Sequence, residues 1–365
     1  MSRSVSIFAL LVAAAALAGS ATAADDWNFG SDFRGAYSVE PKDWTESGDP
    51  TDSLTFETGI RYWYSMGAQS VDGSGGSTAS TDVAHIGELH LRVNDNVTGT
   101  FIKGYAGYSA AISGNYTGIY GSGSFQDGSV GYAGADFAWN TFGANDGTGA
   151  GPMVGYLYWR DAPNTGRFNF ATVTNPGDVT YDSSTGQTFV PGDSDVAYLD
   201  IHALRLGFQA KAKLSNHIDV SGELAAVPYA KVGGVVAAEE VYFDDSVYNG
   251  PAQAPYGWDT GNISFMRNSA TQVDGWGYGA MAEAWLGIHP TDNLTFRLGG
   301  RAWYLQGTAD ATYSAVMIGN PSDSDAGEAP NFDTAPTVNF SNFIETSNPF
   351  SLLRYGLLAE LTYRF

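Results

Sequence analysis

The chain has 365 residues with 39 acidic and 17 basic side chains, a net charge of −22, and no cysteine. That balance argues against a nucleic-acid partner, which needs a basic face, and rules out a disulfide framework. Charged residues are scarce while Gly (46), Tyr (21), Phe (20) and Trp (9) are plentiful, and beyond the first 25 residues no apolar run nears the ~20 that a membrane helix needs, so the composition suits a β-rich chain.

The N-terminus has a signature of its own. Arg3 precedes the apolar run "IFALLVAAAALAG" and then "SATA". Ala21 and Ala23 supply the small residues of an A-x-A cleavage site, so residues 1–23 are expected to be a secretory signal. Residues 24–50 show no sustained period, but Trp27, Phe29, Phe33, Tyr37 and Trp44 argue against a purely disordered tail.

From Ser53 the side chains alternate. Leu54, Phe56, Ile60, Tyr62, Tyr64 and Met66 share one face, and Glu57, Arg61 and Trp63 share the other. Period two over 14 residues predicts a strand longer than is usual in globular proteins. Further strands are expected at 82–93, 97–110, 130–142, 152–160, 196–214, 218–231, 275–289, 294–306 and 350–365, giving ten with 53–66; eight or twelve also fit the periodicity. The stretch "TDNLTFRLGGRAWYLQG" from Thr291 repeats "TDSLTFETGIRYWYSMG" from Thr51 at ten of seventeen positions. Each copy is a polar turn that launches a two-faced strand. Weaker launches occur at "NDNVTGTF" and "NHIDVSGEL", where Asn and Asp suit tight turns. The opposite strand ends run into long polar segments near 161–195, 233–273 and 306–347.

The last segment, "LLRYGLLAELTYRF", puts Tyr355, Leu357, Ala359, Leu361, Tyr363 and Phe365 on one face and ends on an aromatic residue. With the signal, the lack of cysteine, and short turns opposite long loops, it resembles the Gram-negative outer-membrane β-barrels, in particular small barrels of the OmpA, opacity-protein and porin-like types. The resemblance implies an all-β, antiparallel up-and-down transmembrane barrel over residues 51–365, lodged in the bacterial outer membrane with both termini periplasmic. It also implies Tyr363 and Phe365 as an insertion signal read by the barrel assembly machinery, outer-membrane lipid and lipopolysaccharide as surroundings, and residues 24–50 as a periplasmic tail or a segment that enters the barrel.

If the apolar face meets lipid, the other face lines a lumen. Eleven basic residues carry that parity, Arg61, Arg92, Lys103, Arg205, Lys211, Lys213, Lys231, Arg297, Arg301, Arg354 and Arg364, against six acids, Glu57, Glu88, Asp136, Glu223, Glu283 and Glu360. Two readings stay open. One is an interlocked ion-pair network filling a small barrel; the other is a narrow, positively lined channel that prefers anions. The acidic loops, with Asp323, Asp325 and Glu328 in "SDSDAGE", suggest divalent cations as loop partners, although Gly327 falls one place early for a calcium loop. No zinc spacing, phosphate loop or nucleophile elbow occurs, so no cofactor and no metal is expected. The competing reading is an omptin-like protease using Asp200 and His202, but both share the parity of the apolar face. The expectation is a non-enzymatic barrel with an envelope-structural or surface-interaction role.

Overall fold

The computed structural model describes residues 54–365 except 74–75, 119–120, 143–147, 183–186, 216, 237–246, 251–262, 292 and 320–336. The expected signal and the segment 24–50 lie outside the described residues, as does the "SDSDAGE" loop.

Ten long strands form a ring. They are β1 (Leu54–Gly73), β2 (Gly76–Asp95), β3 (Thr100–Thr117), β4 (Gly128–Trp139), β5 (Gly149–Pro163), β6 (Tyr198–Ser215), β7 (Ile218–Val236), β8 (Thr271–Ile288), β9 (Leu294–Gly319) and β10 (Thr337–Arg364). Each pairs antiparallel with its neighbours in the chain. The ring closes where β10 pairs with β1, from Glu57↔Arg364 to Val71↔Phe350. Phe56 and Phe365 exchange backbone hydrogen bonds at 3.0 Å, so the first and last strands meet at the end that carries the short turns. A closed ring satisfies every rung of the ladder and leaves no open edge in it.

All ten expected strands are present, but several run further than their alternation. The residues between the expected strands 53–66 and 82–93 continue the β1–β2 ladder up to Gly73↔Gly76. Likewise β9 and β10 stay paired to Gly319↔Thr337, so both ends of the expected loop 306–347 are strand. The cause is exposure. A strand that stands clear of the apolar belt has polar surroundings on both faces, so period two disappears while the ladder persists. Short strands within the loops (Arg167–Ala171, Gln187–Val196, Val247–Gly250) build a small separate sheet.

The two faces of the ring differ sharply. Outside, Leu89, Leu357, Leu298 and Ile60 are among many large apolar side chains at least half exposed. Inside, Trp63, Trp159, Leu157, Ile201 and Leu305 are wholly buried. Two outward aromatic rings bound the apolar belt. Phe56, Trp139, Phe296, Tyr363 and Phe365 lie toward the turns; Tyr62, Tyr108, Tyr156, Tyr229, Trp276, Tyr278, Tyr304 and Tyr355 lie toward the loops. On β9 the two rings are eight residues apart, Phe296 to Tyr304, or about 27 Å along a strand rising ~3.4 Å per residue. Beyond the loop-side ring the outward face turns polar, with Lys231 paired to Asp274 at 3.3 Å and Arg160 to Asp200 at 3.0 Å.

Candidate functional site in the barrel lumen

The inward face of each strand projects into the bore, and its side chains meet in layers. At the turn end the layer is ionic. Arg297 Nη1 donates to Glu57 Oε1 (3.0 Å) and Glu360 Oε1 (2.6 Å). Arg61 pairs with Glu360 and donates to Glu88 Oε1 at 2.7 Å. Arg301 joins Glu88 Oε2 to Glu283 Oε2, both at 2.6 Å. Across the bore, Arg205 donates to Asp136 Oδ1 (2.8 Å) and to the Tyr105 hydroxyl (2.6 Å), and Lys103 pairs with Glu223. Lower still, Lys211 holds Asp219 at 2.9 Å, and His289 links Asp219 (2.7 Å) to the Thr295 hydroxyl (2.9 Å).

Above this sits an aromatic layer. Trp303 meets Trp63, Tyr132 and Trp159 edge-on, with ring centroids 5.0, 4.9 and 5.5 Å apart. The Arg301 guanidinium lies 5.0 Å from the Trp63 ring centre and 5.2 Å from that of Trp303, which couples the two layers by cation–π contact. A third layer is one buried arginine. Arg354, 1% exposed, is gripped by Asp82 (2.9 and 3.0 Å), by Asp161 (2.9 Å) and by the Ser65 hydroxyl (3.2 Å). Ile112, Phe125, Val130, Leu305, Phe350 and Leu352 then close the loop side with buried apolar surface.

This geometry corrects the expected charge surplus. Lys231 does not face inward: β7 carries one extra residue between Val227 and Ala230, and such a bulge reverses the parity of everything beyond it. Pro228 suits the bulge because it has no N–H to offer the ladder. Lys213 and Arg364 are exposed at the turn end. Arg92 is half-buried there, its guanidinium 3.6 Å from the Phe101 ring centre. On the acidic side, Asp82, Asp161 and Asp219 also point inward and are buried. Among the described residues the bore therefore holds eight basic side chains (61, 92, 103, 205, 211, 297, 301 and 354) against nine acids (57, 82, 88, 136, 161, 219, 223, 283 and 360). It is close to neutral and filled by its own side chains.

The residues missed from the sequence had partial signals. Asp82 shares the parity of Glu88 and Arg92 but stands at the margin of the expected strand. Asp161 lies one residue past it. Asp219 shares the parity of Glu223. His90 and Tyr132 also face inward, and nothing in their spacing distinguishes them from packing residues. Asp200 and His202 point outward: the Tyr158 hydroxyl donates to Asp200 at 2.7 Å, and His202 Nδ1 lies 2.6 Å from the Tyr156 hydroxyl.

No family model and no curated protein matches the chain. Solved structures resemble it in shape. The likeness is to outer-membrane barrels. The outer-membrane protease OmpT from Escherichia coli aligns over 86% of this chain and 97% of its own, at 10% identity and TM-score 0.45. A Pseudomonas aeruginosa FadL homologue aligns over 86% and 90% at 8% identity and TM-score 0.29. The outer membrane protein OprG from P. aeruginosa aligns over 86% and 95% at 11% identity and TM-score 0.27. The barrel itself is established by its own closed ladder.

Proposed function

We propose that this chain is an integral outer-membrane β-barrel, non-enzymatic, with a bore shut by its own side chains and an envelope-structural or surface-interaction role carried at its loop end. The observation that carries the reading is the exterior: an apolar belt between two aromatic rings around a ladder with no edge, which is how a sheet satisfies its backbone inside lipid. Outer-membrane lipid would meet the belt and lipopolysaccharide its loop-side ring. Tyr363 and Phe365, stacked 6.3 Å apart on the exposed rim, would serve as the signal read by the assembly machinery.

The ionic and aromatic layers speak against an anion channel. A conducting path needs a continuous wet column with fixed charge in excess, whereas here the charges are paired across the bore. The decisive experiment is planar-bilayer recording of the refolded mature protein alongside fractionation of cells that express it. The expected result is integral outer-membrane partitioning without stable single-channel steps. Recovery as soluble periplasmic protein would end the barrel-in-membrane reading, and reproducible anion-selective steps abolished in Arg61→Ala/Arg301→Ala would replace the closed bore with a channel.

A further inference from the structure

We propose that Glu57, His90 and Glu360 form a binding site for one divalent transition-metal ion at the turn end of the bore. The three residues come from the adjacent strands β1, β2 and β10, and their donor atoms lie within 4.8 Å of one another. His90 is 4% exposed, and neither ring nitrogen has a hydrogen-bond partner. Its Nε2 stands 3.9 Å from Glu57 Oε1 and its Nδ1 3.9 Å from Glu360 Oε2, too far for hydrogen bonds. A buried imidazole with nothing to bind is costly, and native structures seldom keep one without a ligand, an ion or a water.

The backbone prepares this position. Gly59 of β1 lies between His90 on β2 and Thr362 on β10. A Cβ at Gly59 would overlap both the imidazole and the Thr362 hydroxyl, so the glycine lets His90 lie across β1 between the two carboxylates. The Glu360 carboxylate is already oriented from outside the cluster: the Thr362 hydroxyl donates to its Oε1 at 2.7 Å, and Arg61 holds the same group. Such outer partners fix ligand geometry at metal sites.

Arg297 Nη1 bridges Glu57 Oε1 and Glu360 Oε1 and so stands where a cation would stand for the two carboxylates. A guanidinium only donates, however, and cannot satisfy the imidazole lone pair. A metal ion accepts electron pairs from all three groups at once. Two carboxylates cancel its double charge, so Arg297 must withdraw from between them toward the turn-end mouth. Arg61 keeps Glu88 as a partner at 2.7 Å. One imidazole with two carboxylates favours Zn²⁺, Mn²⁺ or Fe²⁺ over Ca²⁺ or Mg²⁺, which take oxygen ligands.

The test is calorimetric titration of Zn²⁺ into the full mature barrel, refolded in detergent and stripped with chelator, together with visible absorption of the Co²⁺ form. Expected are one ion per chain, Co²⁺ bands of an imidazole–carboxylate site, and affinity lowered by more than about 100-fold in His90→Ala, since loss of a supporting residue alone costs roughly 10–100-fold. Gly59→Ala should weaken binding as well, and His202→Ala on the outer face should leave it unchanged. Heat-modifiable migration on gels checks that each variant is a folded barrel, and His90→Gln replaces His90→Ala should the latter fail to fold. Absence of stoichiometric binding to the native protein, or native affinity in a folded His90 variant, would overturn the site.

Discussion

At the scale of single residues, the side chains that fill the bore are engaged more than once. Arg301 touches Glu88, Glu283, the Tyr132 hydroxyl and two tryptophan rings. Replacing it with alanine leaves Glu88 with Arg61 and the Tyr132 hydroxyl, and Glu283 with Trp285 Nε1, as remaining partners, and breaking a buried pair from one side typically costs about 3–5 kcal/mol. Arg301→Ala should therefore lower the unfolding free energy of the refolded barrel, read from urea titration, by that amount. Arg301→Ala/Glu88→Gln, which removes the opposing charge as well, should recover part of the loss. A pair worth no more than an exposed one, about 0–1 kcal/mol, would show that the bore is wetter than its contacts indicate. The sequence could place Arg301 inward by parity. It could not show that Arg301 also meets Glu88: Glu283 faces it on the neighbouring strand β8, but Glu88 reaches it from β2, three strands away around the ring.

At the scale of elements, depth along a strand sets how a substitution is felt. On β9, Leu298 faces outward inside the belt, whereas Gln306 faces outward just past the loop-side ring at Tyr304. Leu298→Arg should destabilise the folded barrel in lipid vesicles by about 2–4 kcal/mol, and Gln306→Arg by about 0–1. Equal penalties would mean that the belt is misplaced. The strands themselves were legible from period two, down to the short β4 and β5. Two things were not. The bulge at Val227–Ala230 shifts the phase of β7 without interrupting its apolar character, so Lys231 was assigned the wrong side. The upper halves of β1 and β2 have polar residues on both faces, and on β9 the inward side shrinks to small residues (Ala309, Ala311, Ala315), so the composition there imitates loop.

At the scale of the molecule, the barrel and what rises from it are separable. Ring closure needs β10 only up to Phe350, where it last pairs with β1, and β8 grips β9 only as far as Thr312. The remaining β9–β10 rungs reach Gly319↔Thr337 beyond the ring, where Ile263–Arg267 also pairs with β9 from Ala315 to Gly319, and Phe340 and Ile344 are exposed there. Replacing residues 313–343 with a two-residue Asn-Gly turn should leave membrane insertion and heat-modifiable migration intact if the barrel folds as proposed. Failure to insert would mean that the replaced segment takes part in assembly. The ring could be anticipated from ten strands and turn asymmetry; the lumen could not, since its neutrality depends on Asp82, Asp161 and Asp219, each at or just past the margin of an expected strand.

The near-neutral bore has a consequence for how copies share a membrane. Eight of the 17 basic side chains but only nine of the 39 acids are described inside it, so the net charge of −22 resides almost wholly elsewhere. Paired groups in the bore are shielded from dissolved ions, and added salt should scarcely alter the stability of one barrel. Two copies of a chain with a net charge of −22 repel one another, and that repulsion is screened over about 8 Å at physiological ionic strength. In the proposed membrane setting, ionic strength should therefore act on lateral crowding rather than on folding: dilute salt should spread the barrels apart, and concentrated salt should let them gather.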